Sequence, residues 1–206
     1  MWGLNDPSKQ REVKKLIRDQ RADLVYLVET KVRDRNGLQI KEALFPNWGF
    51  LNNYDNHELG RIWVCWNTNI FHVLMVLKAD QVIHWEVVFL SNSAKWEVPF
   101  VYGAYCGFKR QELWQAISGL QWRTRDRSWV VLGDFNVVKD SSERFGGLGH
   151  PGFEAEFANW MGVQGLFDHP YIGVLFSWNN KRDATAFLAR KLDKALNNNI
   201  KLSVFP

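Results

Sequence analysis

The run WVVLGDFNVV, residues 129–138, constrains the chain more than any other stretch. Trp129 to Leu132 is short, apolar and β-branched, and Gly133 bounds it, which reads as a buried strand. Asp134 and Asn136 follow, with Phe135 between them. In extended backbone, residues two apart point to the same side. On that reading a carboxylate and a carboxamide project together from the end of a core strand. Such a pair suits a hard cation with oxygen ligands, or an attacking water and a phosphate oxygen. The same residue types also make the turn after a strand, and on spacing alone the turn is the commoner outcome.

Other elements can be placed around this strand. Residues 1–8 are turn-like, and Ser8 is a candidate cap for an amphipathic helix over residues 9–21, with Val13, Leu16 and Ile17 on one face. DLVYLV, residues 23–28, is a second buried strand, and it closes on Glu29. A carboxylate there is either a solvated rim residue or a metal ligand. A short helix over 38–45 ends before Pro46. Strand candidates follow at 49–52, 61–66, 71–77, 82–90 and 98–106, rich in Val, Ile, Trp and Phe. No helices separate them, so antiparallel meanders are expected. Alternation in VIHWEVVF predicts one wet and one dry face, with His84 a structural residue on a surface strand. Helices are predicted over 109–123, with Leu113, Trp114, Ile117 and Leu120 inward, and over 153–161, with Phe153, Phe157 and Trp160/Met161 inward. Between the Asp134 strand and the second of these lies the polar loop KDSSERFGGLGHPG, of a kind that often shapes a substrate groove.

The 206 residues are enough for one sizeable domain, and no linker or repeat divides them. Eleven Trp point to a core built on large rings. A net charge of +4 permits a polyanion partner without demanding one. Cys65 and Cys106 both sit in apolar strand-like runs, and buried reduced thiols are expected. No apolar run approaches the roughly 20 residues needed to span a bilayer. The stretch after Met1 is polar and unlike a signal peptide, so an intracellular protein without membrane contact is expected. Nothing in the sequence fixes an oligomeric state.

GLNDPSKQREVKKLI, DLVYLVETKV, GRIWVCWN, FVYGAYCGFKRQELW, GDFNVVKDSSERFGG, FSWNN and RKLDKAL occur in that order. Together they resemble the endonuclease domain of plant LINE-type (non-LTR) retrotransposons and their host-genome relatives. That family lies within the endonuclease/exonuclease/phosphatase superfamily of DNase I-like fold. The resemblance implies an α+β fold, a four-layer αββα sandwich, as a single domain over residues 1–206. It implies Mg²⁺- or Mn²⁺-dependent hydrolysis of DNA phosphodiester bonds, a DNA partner, and the nucleus as the place of work.

Residue by residue, Glu29 matches the glutamate that holds the divalent cation, although Val28 stands where the family usually has glutamine. Asp134 matches the residue that positions or deprotonates the attacking water, and Asn136 the one that bonds the phosphate or the water. Tyr102 matches a tyrosine that contacts the scissile phosphate, but Ala104 and Tyr105 replace the Pro-Asn pair that often follows. Without the resemblance Tyr102 reads equally as core. Trp178 of FSWNN is a base-stacking candidate or a core residue. Arg144 is a phosphate contact or a solvated loop arginine. Asp193 matches an aspartate that orients a later histidine.

The family's first strand, ending in Trp-Asn, and its last, carrying Ser-Asp-His, find no match between Met1 and Pro206. His150 and His169 lie in loop contexts unlike the histidine motif. A domain lacking its first and last core strands, with impaired or absent turnover, is therefore expected. Two alternatives stay open: a catalytically dead nucleic-acid-binding remnant, and a superfamily phosphatase acting on lipid or small-molecule phosphates. GRIWVCWN, ELW and SERFGG favour the retroelement branch over the phosphatases.

Overall fold

The computed structural model describes residues 3–183 and 186–198; residues 1–2 and 199–206, the chain ends singled out above, lie outside the described residues. The chain forms two compact units, Met1–Lys95 and Trp96–Pro206. Both mix helices and sheets, so the α+β expectation holds.

The first unit contains α1 (Pro7–Gln20), β1 (Leu24–Val28), α2 (Asp34–Leu44), β2 (Gly49–Asn52), β3 (Ile62–Trp66), β4 (Phe71–Lys78) and β5 (Val82–Phe89). β1 and β2 both pair antiparallel with β3, giving the order β1-β3-β2. β4 and β5 form an antiparallel hairpin with a bulge between Met75 and Leu77. Trp63 and Cys65 of β3 pack with Ile40, Leu44 and Phe45 of the α2 segment, and with Leu4 and Val32. Phe50 meets the Trp63 ring edge-on at 5.1 Å, and Trp66 meets Trp85 in the same way.

Three expectations need correction in this unit. Asp6, not Ser8, caps α1: its carboxylate accepts the Ser8 N–H at 2.8 Å, with Pro7 at the first helical position. Leu16 is exposed at 61%; Val13 and Ile17, four apart on one helical face, make the core contact instead. His84 is fully buried. Residues 82–87 of β5 are buried on both sides of the strand, so period-two alternation does not separate a wet face from a dry one.

The second unit contains β6 (Lys95–Tyr102) from its second residue on, α3 (Gly107–Ser118), α4 (Gln121–Thr124), β7 (Ser128–Asp134), a 3-10 turn (Ser141–Glu143) and β8 (Arg144–Phe145). α5 (Pro151–Val163), β9 (Phe167–Asp168), β10 (Trp178–Asn179), β11 (Ala189–Arg190) and β12 (Asp193–Asn197) complete it. β6 and β7 run parallel, joined by the α3–α4 crossover. β12 pairs antiparallel with β7 and with β9. A separate small sheet has the order β10-β11-β8.

The helix predicted over 109–123 is two helices, broken at Gly119, whose N–H closes α3 on the Gln115 carbonyl. The strand predicted over 98–106 ends at Tyr102, and Cys106 is exposed rather than buried. It stands at the head of α3, outside the apolar strand to which its neighbours belong.

The core is aromatic, as the Trp content implies. Trp114 of α3 lies 4.6 Å from Trp160 and 5.3 Å from Phe157 of α5, and Phe135 lies 5.2 Å from Phe157. Phe135, between Asp134 and Asn136, is fully buried. Each such ring pair adds about 0.5–1.5 kcal/mol beyond its area burial. The turn that carries the polar residues is thus anchored by the ring between them.

Gly133 has φ +146°, and a Cβ there would stand 2.0 Å from the Val101 carbonyl oxygen of β6. Gly133→Ala is therefore expected to lower stability by at least about 3 kcal/mol, from glycine-only backbone plus a clash with main chain that no rotamer relieves. A urea titration followed by circular dichroism checks this; an unchanged midpoint would contradict it.

Candidate active site

The ladders of the second unit bring three predicted residues into one row. Tyr102 ends β6 opposite Asp134, which ends β7, and Asp193 begins β12 opposite the same Asp134. Directly paired residues project to the same side of a sheet. Tyr102 is buried to 3% exposure, Asp134 is half-buried and Asp193 is exposed, so the row grades from core to solvent. The Tyr102 hydroxyl donates to the Tyr105 hydroxyl at 3.3 Å, and Tyr105 is 75% exposed.

Asn136 does not join the row by strand parity. Its φ is +49°, so the backbone has left the extended region, and the parity expectation is corrected to a turn. Asp134 Oδ1 accepts the Asn136 N–H at 2.8 Å, and Asn136 Nδ2 donates to the Gly103 carbonyl at 2.7 Å. The Gly103 N–H in turn donates to the Asp134 carbonyl at 2.7 Å. A Cβ on Gly103 would stand 2.5 Å from the Phe135 oxygen, so glycine permits this close approach. The turn fixes the Asp134 side chain while one of its oxygens serves the backbone.

Asp193 is set by a residue that sequence reasoning passed over. Ser177, next to Trp178, accepts the N–H groups of Leu192 and Asp193, each at 3.0 Å. Lys194 alternates with Asp193 and points inward, where Glu143 Oε2 accepts its ammonium at 2.6 Å. Burial pushes the Lys194 pKa down from the usual lysine value, against the pull of the Glu143 carboxylate. Glu143 belongs to SERFGG, so this buried pair ties the loop after β7 to the strand that carries Asp193.

The small sheet makes a second row. Trp178 pairs with Arg190, and Arg190 with Arg144. Trp178 is 40% exposed, in keeping with the stacking alternative rather than the core one. Arg144 is no solvated loop arginine: its guanidinium bonds the Glu154 carboxylate, so a phosphate contact must compete with that pair. Arg190, between the two predicted residues, went unnoticed because only strand pairing reveals it.

In the first unit Glu29 follows β1, half-buried, with φ +50°. Its N–H donates to the Arg61 carbonyl at 3.0 Å, and the next residue's hydroxyl, Thr30 Oγ1, donates to the Gly60 carbonyl at 3.2 Å. A left-handed backbone costs a non-glycine residue about 1–2 kcal/mol, and such outliers gather at functional sites. Glu29 and Asn136 are both of this kind.

The donors on these elements are carboxylates, a carboxamide and a phenol, all hard oxygen groups of the class that Mg²⁺ and Mn²⁺ take. Among the described residues no group of three or more His, Cys, Asp or Glu forms a cluster that could hold a metal ion. Mg²⁺ needs none, since one or two carboxylates, waters and a substrate phosphate complete its shell.

Residues 1–199 match the sequence profile of the Endonuclease/Exonuclease/phosphatase family. The chain belongs to this family. Curated protein sequences contain no match to it. Among solved structures, it resembles the endonuclease domain of TRAS1, a telomere-specific non-LTR retrotransposon, at TM-score 0.70 and 10% identity, over 94% of this chain and 81% of that one. The AP endonuclease LMAP from Leishmania major superposes at TM-score 0.74 with 14% identity, over 96% and 77% of the two chains. A mannosyl-6-phosphatase from Bacteroides thetaiotaomicron does so at 0.61 with 12% identity, over 94% and 77%. At these identities the likeness is one of fold, and it includes nucleases and a phosphatase alike.

Proposed function

We propose that this family member is of retrotransposon origin, of the plant LINE type, that its two units form one domain, and that its chemistry is Mg²⁺- or Mn²⁺-dependent hydrolysis of DNA phosphodiester bonds at an impaired rate. The row Tyr102–Asp134–Asp193, across three paired strand ends, carries the proposal. GRIWVCWN, ELW and SERFGG support the retroelement branch, and the likeness to TRAS1 is in keeping with it.

Glu29 would supply an oxygen ligand for the cation. When bound, the cation supplies a Lewis acid that stabilises negative charge on the phosphate and the leaving oxygen. Asp134 accepts the proton of the attacking water. Asn136 holds the Asp134 turn against Gly103, so its contribution includes keeping that base in place. The exposed Tyr105 hydroxyl, which accepts from Tyr102, offers a donor to a phosphate oxygen, so Tyr102 acts there through Tyr105. Asp193 is held by Ser177 through its N–H, with its carboxylate in solvent. Trp178 and Arg190 offer an aromatic face and a cation to the strand on either side of the cut.

Supercoiled plasmid nicking tests this. Relaxation is expected with Mg²⁺, and it is expected to vanish with EDTA and in Glu29→Gln. The expectation of impaired turnover is read from the rate in the same assay. Folded protein that binds DNA with a steep salt dependence but never nicks it would leave a binding module. Release of phosphate from sugar phosphates without nicking would favour the phosphatases.

A further inference from the structure

The second unit holds a cavity of about 620 Å³ at the other end of β7. Trp129 lines it, with Trp122 and Arg125 of the α4 segment, Gln164 beyond α5 and Asn198 beyond β12. Strands rise ~3.3 Å per residue, so roughly 17 Å of β7 separates Trp129 from Asp134. The cavity is therefore distinct from the rim described above.

Its wall has an unusual make-up. Trp122 is 74% exposed, so its ring serves no core. The Arg123 guanidinium lies 5.5 Å over that ring and also donates to the fully buried Glu97 at 3.1 Å, which ties the stack to β6. Gln164 and Trp129 are more than nine-tenths buried, yet Gln164 Oε1 and Trp129 Nε1 have no hydrogen-bond partner among the described residues. Gln164 Nε2 donates to Ser118 Oγ at 3.0 Å, so the carboxamide orientation is set and the oxygen is left as acceptor.

An open aromatic face with a guanidinium beside it complements an unpaired nucleobase bearing a phosphate. The volume lies within the range of about 300–1,000 Å³ typical of small-ligand sites. We infer that this cavity is an auxiliary site for one unpaired nucleotide of a single-stranded nucleic acid. The base stacks on Trp122 and its phosphate meets Arg125. The inference does not depend on hydrolysis at Asp134.

Fluorescence anisotropy of a fluorescein-labelled thymidine octamer, titrated with the full chain in EDTA, tests it. Trp122→Ala is expected to weaken binding about tenfold, within the range for loss of one stacked base. Trp122→Phe should keep most of the affinity. Arg125→Ala should lower the slope of log affinity against log salt by about 0.7, one single-strand phosphate. An octamer with abasic sites should bind the wild type and Trp122→Ala alike. Plasmid nicking by Trp122→Ala should match the wild type, which separates this site from the rim. Wild-type affinity in both Trp122→Ala and Arg125→Ala would overturn the inference, as would failure of the wild type to bind the octamer.

Discussion

Asp134→Asn is expected to lower Mg²⁺-dependent nicking about a thousandfold while leaving the fold intact, the scale of losing a positioned base. The reason lies in the two tasks of this side chain. Oδ1 accepts the Asn136 N–H at 2.8 Å and so closes the turn after β7. Asparagine keeps an oxygen for that bond, and the ladder partners Tyr102 and Asp193 are untouched. What it loses is the charge that draws a cation and takes a proton. Asp134→Ala removes the turn acceptor as well, at a further cost of about 1 kcal/mol in stability. Rates and melting temperatures of the two variants separate the tasks. If the aspartate only shaped the turn, Asn would nick like the wild type and Ala would not; that pattern would remove Asp134 from the chemistry.

Strand identity at this site was legible in the sequence, because a β-branched run bounded by glycine leaves few alternatives. The row itself was not. Asp193 faces Asp134 through a pairing between strands about sixty residues apart, and RKLDKAL carries no local mark of that register. Parity failed at Asn136 because it presumes extended backbone, and φ turns positive there. Phe135 reads as a spacer in the motif and is in fact the anchor of the turn. Burial was misjudged where tertiary context decides it: His84 lies inside, and Cys106 and Leu16 lie outside. The hardest case is Glu143 with Lys194. Each alone reads as a surface charge, and each is the other's closest counter-charge.

That pair makes the largest stability prediction. Lys194 has a fully buried side chain, and Glu143 is 9% exposed at the side chain. Glu143 also accepts the Lys139 N–H at 2.6 Å, and Lys191 stands 4.0 Å from its other oxygen while bonding Asp168. Glu143→Ala leaves a buried ammonium without its closest counter-charge, and the expected loss is about 3–5 kcal/mol. Glu143→Leu with Lys194→Met removes both charges and should recover most of it. The loss should also depend on pH. Burial already lowers the Lys194 pKa, and without Glu143 it falls further. Between that lowered folded value and the unfolded value, the unfolded chain binds more protons, so stability rises with pH across the window. The defect of Glu143→Ala should therefore shrink, relative to the wild type, as the pH is raised from neutral to the unfolded lysine value of about 10.4. Urea midpoints at both ends measure it. A single variant that loses less than about 1 kcal/mol, or a double variant no better than the single, would show that the pair is not what holds the SERFGG loop to β12.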